Sequence, residues 1–396
     1  MSVTEPILDS ASKSSVTPHS HGAVVPQSSR AEWFTSFDVN AFEIPGGREE
    51  IWRFTPMKRL RGLHTGVAAT GTAKIEVGAG SEARVETARR GDERLGVAGT
   101  PADRIAAQAW CSFDEATVIT IPRSATPAAP IMVTVTGPGA DAVAYGHLQV
   151  RAERFAEAVV VIDHRGSGTY ADNVEFVVGD GARLNVIAVH DWADDVVHVS
   201  AHHAKLGRDA TLKHTVITLG GAVVRLSPTT TFSERGGDVE LLGLYFADAG
   251  QHLEHRTFVD HAVPNCRSRV TYKGALQGDG AHTVWIGDVL IRAAAEGTDT
   301  FELNRNLVLT DGARADSVPN LEIETGEIAG AGHASATGRF DDEQLFYLQA
   351  RGIPEDQARR LVVRGFFHEI LVKIDVPEVR ERLEAAIEAE LEAVGV

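Results

Sequence analysis

From Ile131 onward, apolar and polar residues alternate in short runs with the period of a β-strand, and each run is closed by a turn of Gly, Asp and small residues. The turns Gly179-Asp180-Gly181-Ala182, Gly207-Arg208-Asp209-Ala210 and Gly236-Gly237-Asp238-Val239 start 28 and 29 residues apart, and Gly139-Ala140-Asp141-Ala142 is an earlier turn of the same kind. The later three feed the strands L-N-V-I-A-V, L-K-H-T-V-I and L-L-G-L-Y-F. Second strands such as V-V-H-V-S-A-H and A-V-V-R-L-S follow most of them. A fixed period in the tens of residues marks a stacked solenoid, in which each rung buries its apolar face only against its neighbours. Asp and Gly recur because every corner needs a turn that the β region cannot supply. No helical stretch long enough for βαβ crossovers lies between these strands. The fold class is therefore mainly β, with a parallel β-helix core over residues 96–340 ending near Gly338.

The flanks read differently. Residues 1–30, rich in Ser, Pro and His without periodicity, predict a disordered tail. Residues 31–95 predict a helical and mixed region anchored by Phe34, Phe37, Phe42 and Trp52 and broken at Pro45-Gly46-Gly47; Trp52 and Phe54 read as packing residues. Residues 341–396 predict a compact helical domain. Asp341 with Gln344 forms a capping box for a first helix, which carries Leu345, Tyr347 and Leu348 and stops at Gly352 and Pro354. A second helix starts at Pro354 or Glu355 with a stripe of Val362, Phe366, Ile370 and Ile374, widened by Phe367 and Leu371. A third opens at Pro377 with Leu383, Ile387, Leu391 and Val394.

At 396 residues, with 43% hydrophobic and 23% charged positions, most of the chain should fold. A net charge of −17 argues against nucleic acid and disfavours an anionic membrane surface. No apolar run is long enough to span a bilayer and the first thirty residues lack a signal-peptide core, so the expected location is cytoplasmic. Two cysteines, Cys111 and Cys266, provide neither a disulfide framework nor a four-thiolate metal site. There is no G-x-x-x-x-G-K-(S/T), G-x-S-x-G or H-E-x-x-H motif. Of sixteen histidines, eleven fall between His147 and His282. His198, Ser200 and His202 share a strand face, and His252, Glu254 and His255 lie close together; both groups read as the polar outer face of the solenoid rather than a metal patch. His333 stands apart, flanked by Gly330, Ala331, Gly332, Ala334 and Ser335. From the residues alone it reads as a buried, hydrogen-bonded structural histidine.

Seven segments carry a resemblance: P-N-L-E-I from Pro319, G-H-A-S-A-T-G-R-F-D-D-E-Q-L-F-Y-L from Gly332, R-G-I from Arg351, H-L-E-H-R-T from His252, H-A-V-P-N-C from His261, Y-K-G-A-L from Tyr272 and E-E-I-W-R-F-T from Glu49. Together they resemble the SufD branch of the SufB/SufD family, non-ATPase components of the SufBCD complex of the Suf iron–sulfur cluster assembly machinery. The resemblance implies a right-handed β-helix that forms a heterodimer with SufB. It implies a helical tail that docks the ATPase SufC through Asp342, Glu343, Phe346, Tyr347, Arg351 and Gly352. It also implies His333 as an iron ligand for a nascent iron–sulfur cluster held transiently with the partner, with no cofactor bound by this chain alone and no catalysis of its own. The chain departs from the pattern at Ala331, where many relatives carry a cysteine two positions before the histidine, so that thiolate's role does not transfer. Its absence favours the SufD branch over SufB. Cys266 matches a family position but reads as packing. Three alternatives stay open: a homodimer of the isolated chain, a purely structural β-helix adaptor, and a carbohydrate-active β-helix enzyme.

Overall fold

A computed structural model describes residues 29–80, 82–339 and 342–393. The expected tail up to residue 28, the capping residue Asp341 and Val394 lie outside the described residues. In chain order the strands are β1 (Lys74–Gly78), β2 (Arg84–Arg89), β3 (Glu115–Ile121), β4 (Ile131–Thr136), β5 (Val143–Ala152), β6 (Glu157–Arg165), β7 (Thr169–Val178), β8 (Arg183–His190) and β9 (Val197–Leu206). They continue with β10 (Thr211–Thr218), β11 (Val223–Phe232), β12 (Asp238–Ala247), β13 (His252–His261), β14 (Arg267–Leu276), β15 (His282–Ile291), β16 (Asp299–Val308), β17 (Arg314–Ile323) and β18 (Gly330–Arg339). The helices are α1 (Arg104–Ser112), α2 (Asp342–Gln349), α3 (Glu355–Leu371) and α4 (Pro377–Ala393).

Two nine-stranded sheets result. One runs β1-β4-β6-β8-β10-β12-β14-β16-β18 and the other β17-β15-β13-β11-β9-β7-β5-β3-β2. From β4 onward the chain alternates between them, and every pairing between these later strands is parallel. This is the parallel β-helix that the turn repeat predicts. Register partners lie 26 residues apart at Val143↔Thr169 and 32 apart at Arg267↔Asp299. The strands keep their length while the corners grow, which is why the period is clean over only part of the sequence.

The corners at Gly179, Gly207 and Gly236 lead from the second sheet into the first. Their positive φ values, 65° at Gly181, 52° at Asp209 and 82° at Gly236, are open to Gly and tolerated by Asp. Gly139 and Asp141, with φ of 104° and 61°, make the opposite corner between β4 and β5. Turn chemistry is the same at both edges of a flattened coil, so it does not reveal which edge a turn occupies.

Between the sheets the lumen is filled by one continuous apolar cluster, from Ile119 to Val308. Both outer faces are covered. Helices α3 and α4 lie on the first sheet, where Val363, Phe367, Ile370, Leu371, Ile374, Leu383 and Ile387 pack on Ile187, Ile217, Leu244 and Phe246. The buried line of α3 thus runs through Val363 and Phe367 rather than Val362 and Phe366, which are half-buried: the sheet below sets which side of a broad apolar stripe is buried. Lys273 donates to the Phe366 carbonyl at 2.9 Å, and Arg382 grips Asp163 with two bonds of 2.7 and 2.9 Å. The tail is therefore part of the cover of the solenoid. On the second sheet, α1 and the short turns before it bury Trp52, Leu60, Leu63 and Ile105. Phe37 and Phe42 are half-buried there, whereas Phe34 is exposed.

Candidate functional site

β17 and β18 are the last strands of their sheets, and among the described residues no strand pairs with their outer edges. β18 runs in register with β16, giving Glu302↔His333, Asn304↔Ser335 and Asn306↔Thr337. In-register neighbours on parallel strands point to the same face of the sheet. Glu302, Asn304 and Asn306 are buried in the lumen, so His333, Ser335 and Thr337 face the lumen side as well. They are exposed because no further rung stacks on them. The structure thus places His333 on the open mouth of the coil, not in the buried setting that its small neighbours suggest on their own. Ala331, two positions earlier, packs on the lumen cluster.

Beneath the mouth the polar side chains are bonded together. Tyr245 donates its hydroxyl to Asn306 Oδ1 at 2.7 Å and accepts from Asn304 Nδ2 at 2.9 Å. Ser317 of β17 donates to Asn304 Oδ1 at 2.6 Å, and Asn306 Nδ2 reaches Ser317 Oγ and Thr337 Oγ1 at 2.9 and 3.2 Å. This network ties the two sheets together across the last rung.

Glu302 is different. It is 1% exposed, and neither carboxyl oxygen has a hydrogen-bond partner. Burial, aided by Asp288, pushes its carboxyl up to about 8. Its Oε1 lies over Gly287 of β15, where an added Cβ would come within 2.8 Å of it. Reading the sequence did not single out Glu302, Asn304 or Asn306. The available signal was F-E-L-N-R-N, which sets polar residues on alternate positions of a strand whose counterparts in earlier rungs are mostly apolar.

The histidine clusters are closed. His198, Ser200 and His202 are buried and line the lumen, correcting their assignment to a solvated outer face. One ligand atom each from His164, Asp172 and His198 lie within 4.8 Å of one another. Trp192 Nε1, which can only donate, bonds His198 Nδ1 at 3.2 Å, so the ring proton sits on Nε2 and is donated to Asp172 Oδ1 at 3.1 Å. A metal on Nε2 would force the proton to Nδ1, against the Trp192 N–H, so this trio serves the fold rather than a metal.

Glu254 is also buried, on the outer face of the second sheet beneath the N-terminal segment. Its Oε1 meets Arg225 Nε at 3.2 Å and Arg256 Nη1 at 3.3 Å, and its Oε2 accepts from Thr55 Oγ1 at 2.7 Å and His252 Nε2 at 3.1 Å. Burial alone would raise its carboxyl, but the His252 bond and the two guanidinium groups hold it well below the usual range. With each oxygen doubly bonded, Glu254 clamps the N-terminal cover to the coil.

Neither cysteine reaches the mouth. Cys266 is 1% exposed, lies near the Pro264 and Glu234 carbonyls, and has its thiol pushed up by burial; Cys111 sits in α1 against the Phe37 carbonyl. The six residues expected to meet a partner ATPase gather on and just after α2. Phe346 and Tyr347 are 72% and 56% exposed, and Glu343 and Arg351 are also exposed. The Arg351 guanidinium lies 4.2 Å from the Tyr347 ring centroid, and Gly352, at φ 82°, closes the helix. Asp342 begins α2; its side chain lies outside the described residues.

Residues 134–366 match a family model described as SUF system FeS cluster assembly, SufBD core domain. An iron–sulfur cluster assembly SufBD family protein of Mycobacterium bovis is 69% identical over 370 residues, covering 92% of this chain and 93% of that one. One of Mycobacterium leprae is 67% identical over 365 residues, covering 90% and 93%. A second SufBD family protein of Mycobacterium leprae is 26% identical over 242 residues, 61% of this chain and 28% of that protein.

Proposed function

Since the chain belongs to the SufBD family of SUF-system iron–sulfur cluster assembly proteins, we propose that it works as a scaffold subunit of the SufD kind, without catalysis of its own. It pairs through the open end of its β-helix with a SufB-type member of the same family, and His333 ligates iron of the nascent cluster, the cargo of the complex. The observation that carries this reading is the place of His333: exposed, on the lumen side of a ten-residue strand whose outer edge is unpaired. An unpaired strand edge is a template for adding a strand from another chain. The presence of a close and a distant relative in one organism, Mycobacterium leprae, supports a partner of the same family.

Imidazole is a suitable iron ligand and replaces thiolate in some iron–sulfur centres. With Cys266 buried and Cys111 held in α1 within the N-terminal cover, the thiolates of the site come from the partner. The exposed aromatic pair of α2 docks the SufC-type ATPase, which supplies the nucleotide chemistry that this sequence lacks. Motion of that ATPase reaches the mouth from α2, the element that follows β18 in the chain.

The test is His333→Ala in the complex reconstituted with both partners. Because the side chain is exposed, assembly of the complex should persist while cluster yield falls about tenfold or more. A normal yield from an intact complex would remove the ligand role.

A further inference from the structure

Following the lumen position of His333 down the first sheet, rung by rung, gives Glu302, Val270, Leu241, His214, Val186, Val160 and Ile131. The lower part of this column is apolar except for His214, which bonds His202 Nδ1 at 3.3 Å. Only at the last two rungs does it become a carboxyl followed by an imidazole. Glu302 has no internal partner, and a buried polar group in that condition calls for a ligand or a bound water. Room is kept for it by Gly287, since any Cβ there would press on Oε1 and on the Trp285 ring.

We infer that Glu302 is a second metal-ligating residue, which together with His333 forms a carboxylate–imidazole pair that receives ferrous iron at the mouth of the coil. This inference rests on the reading of His333 given above and adds a ligand to it. Strands in a sheet lie about 4.8 Å apart, so in-register side chains on one face can converge on a single ion. A histidine and carboxylate ligand set with open positions suits non-haem ferrous iron, and the open positions here face the edge where a partner would bring thiolates. The Tyr245–Asn304–Asn306–Ser317 network alongside extends from Asn306 to Thr337 of β18, so it fixes the two strands that carry the pair. Binding replaces the proton on Glu302 by the metal ion, so the step releases one proton and requires no oxidant or reductant.

The experiment is an anaerobic titration of the full chain with ferrous iron alone, read by equilibrium dialysis, on the wild type and the Glu302→Gln, Glu302→Asp and His333→Ala variants. Glu302→Gln keeps size and removes only the charge available for binding; a denaturation curve at least as stable as wild type excludes misfolding. The expected result is weaker binding by about tenfold or more in both Glu302→Gln and His333→Ala. Glu302→Asp, which retains a carboxylate on a shorter arm, should fall between Glu302→Gln and wild type. Wild-type affinity in Glu302→Gln with weakened binding in His333→Ala overturns this inference and leaves the His333 reading intact; Glu302 then holds only trapped water. Wild-type affinity in His333→Ala overturns both.

Discussion

Tyr245 of β12 lies directly over Gly274 of β14, its register partner, and two positions earlier the arrangement is reversed, with Tyr272 of β14 over Gly243 of β12. Each glycine admits the ring of the neighbouring rung, and a Cβ at either position would run into it. Because the Tyr245 hydroxyl also bonds Asn304 and Asn306, this packing fixes the floor of the mouth.

Gly274→Ala should therefore destabilise the fold by about 1–3 kcal/mol, the usual range for overpacking. Guanidinium unfolding curves give the stability. A displaced Tyr245 should also loosen the Asn304–Asn306 network, seen as faster amide exchange across β16. Unchanged stability together with unchanged exchange would show that the rings are not confined.

Arg225, 1% exposed, lies 4.0 Å from the Trp52 ring centroid and bonds Glu254, Asp103 and the Ile51 carbonyl at 3.2, 3.3 and 3.1 Å. Its loss leaves two buried carboxylates short of a partner. Arg225→Ala should cost about 3–5 kcal/mol, and Trp52→Ala a similar amount by cavity formation. Limited proteolysis should then cleave first in the segment preceding α1.

Burial lowers His164, His203 and His261 to about 4, and His214 and His255 to about 3. Unfolded histidine titrates near 6.5, so between these values the unfolded chain binds protons that the folded chain refuses. Their contribution is fully present above pH ~6.5 and is lost as pH falls toward 4. The histidines by themselves give a urea midpoint that is flat above neutrality and drops steeply below about pH 6.5. His214→Gln should remove roughly one proton's worth of that slope. Glu302, raised to about 8, works in the opposite sense. Glu302→Gln should gain up to about 3 kcal/mol at pH 7, at about 1.4 kcal/mol per pH unit above the ordinary carboxyl value, and steepen the acid limb.

Phe346 and Tyr347 contribute little to the fold, being largely exposed. The double variant Phe346→Ala, Tyr347→Ala in the full chain should change stability by no more than about 0.5 kcal/mol. It should nevertheless weaken capture of the SufC-type ATPase by about 2 kcal/mol or more, the cost of losing aromatic anchors at an interface. Calorimetric titration separates the two effects. Undiminished affinity would place the ATPase elsewhere on the chain.

The period of the turns, the alternation within strands and the helical tail were legible in the residues because each is a local property: a corner needs φ > 0, a strand repeats every two residues and a helix every 3.6. His333 was legible as a candidate through the segment around it, and the exposed aromatics of α2 likewise. What the sequence could not decide was which neighbour covers which face. His198 and His202 alternate as a solvated strand would, yet the opposing sheet buries them; Val362 and Val363 flank one broad apolar stripe of their helix, and only the first sheet decides which of them is buried. Glu302 is one carboxylate among many in the chain, and it gains meaning only when a parallel register sets it beneath His333 with its oxygens unmet. Burial and partnership are sums over residues far apart in the chain, and only the stacked coil brings those residues together.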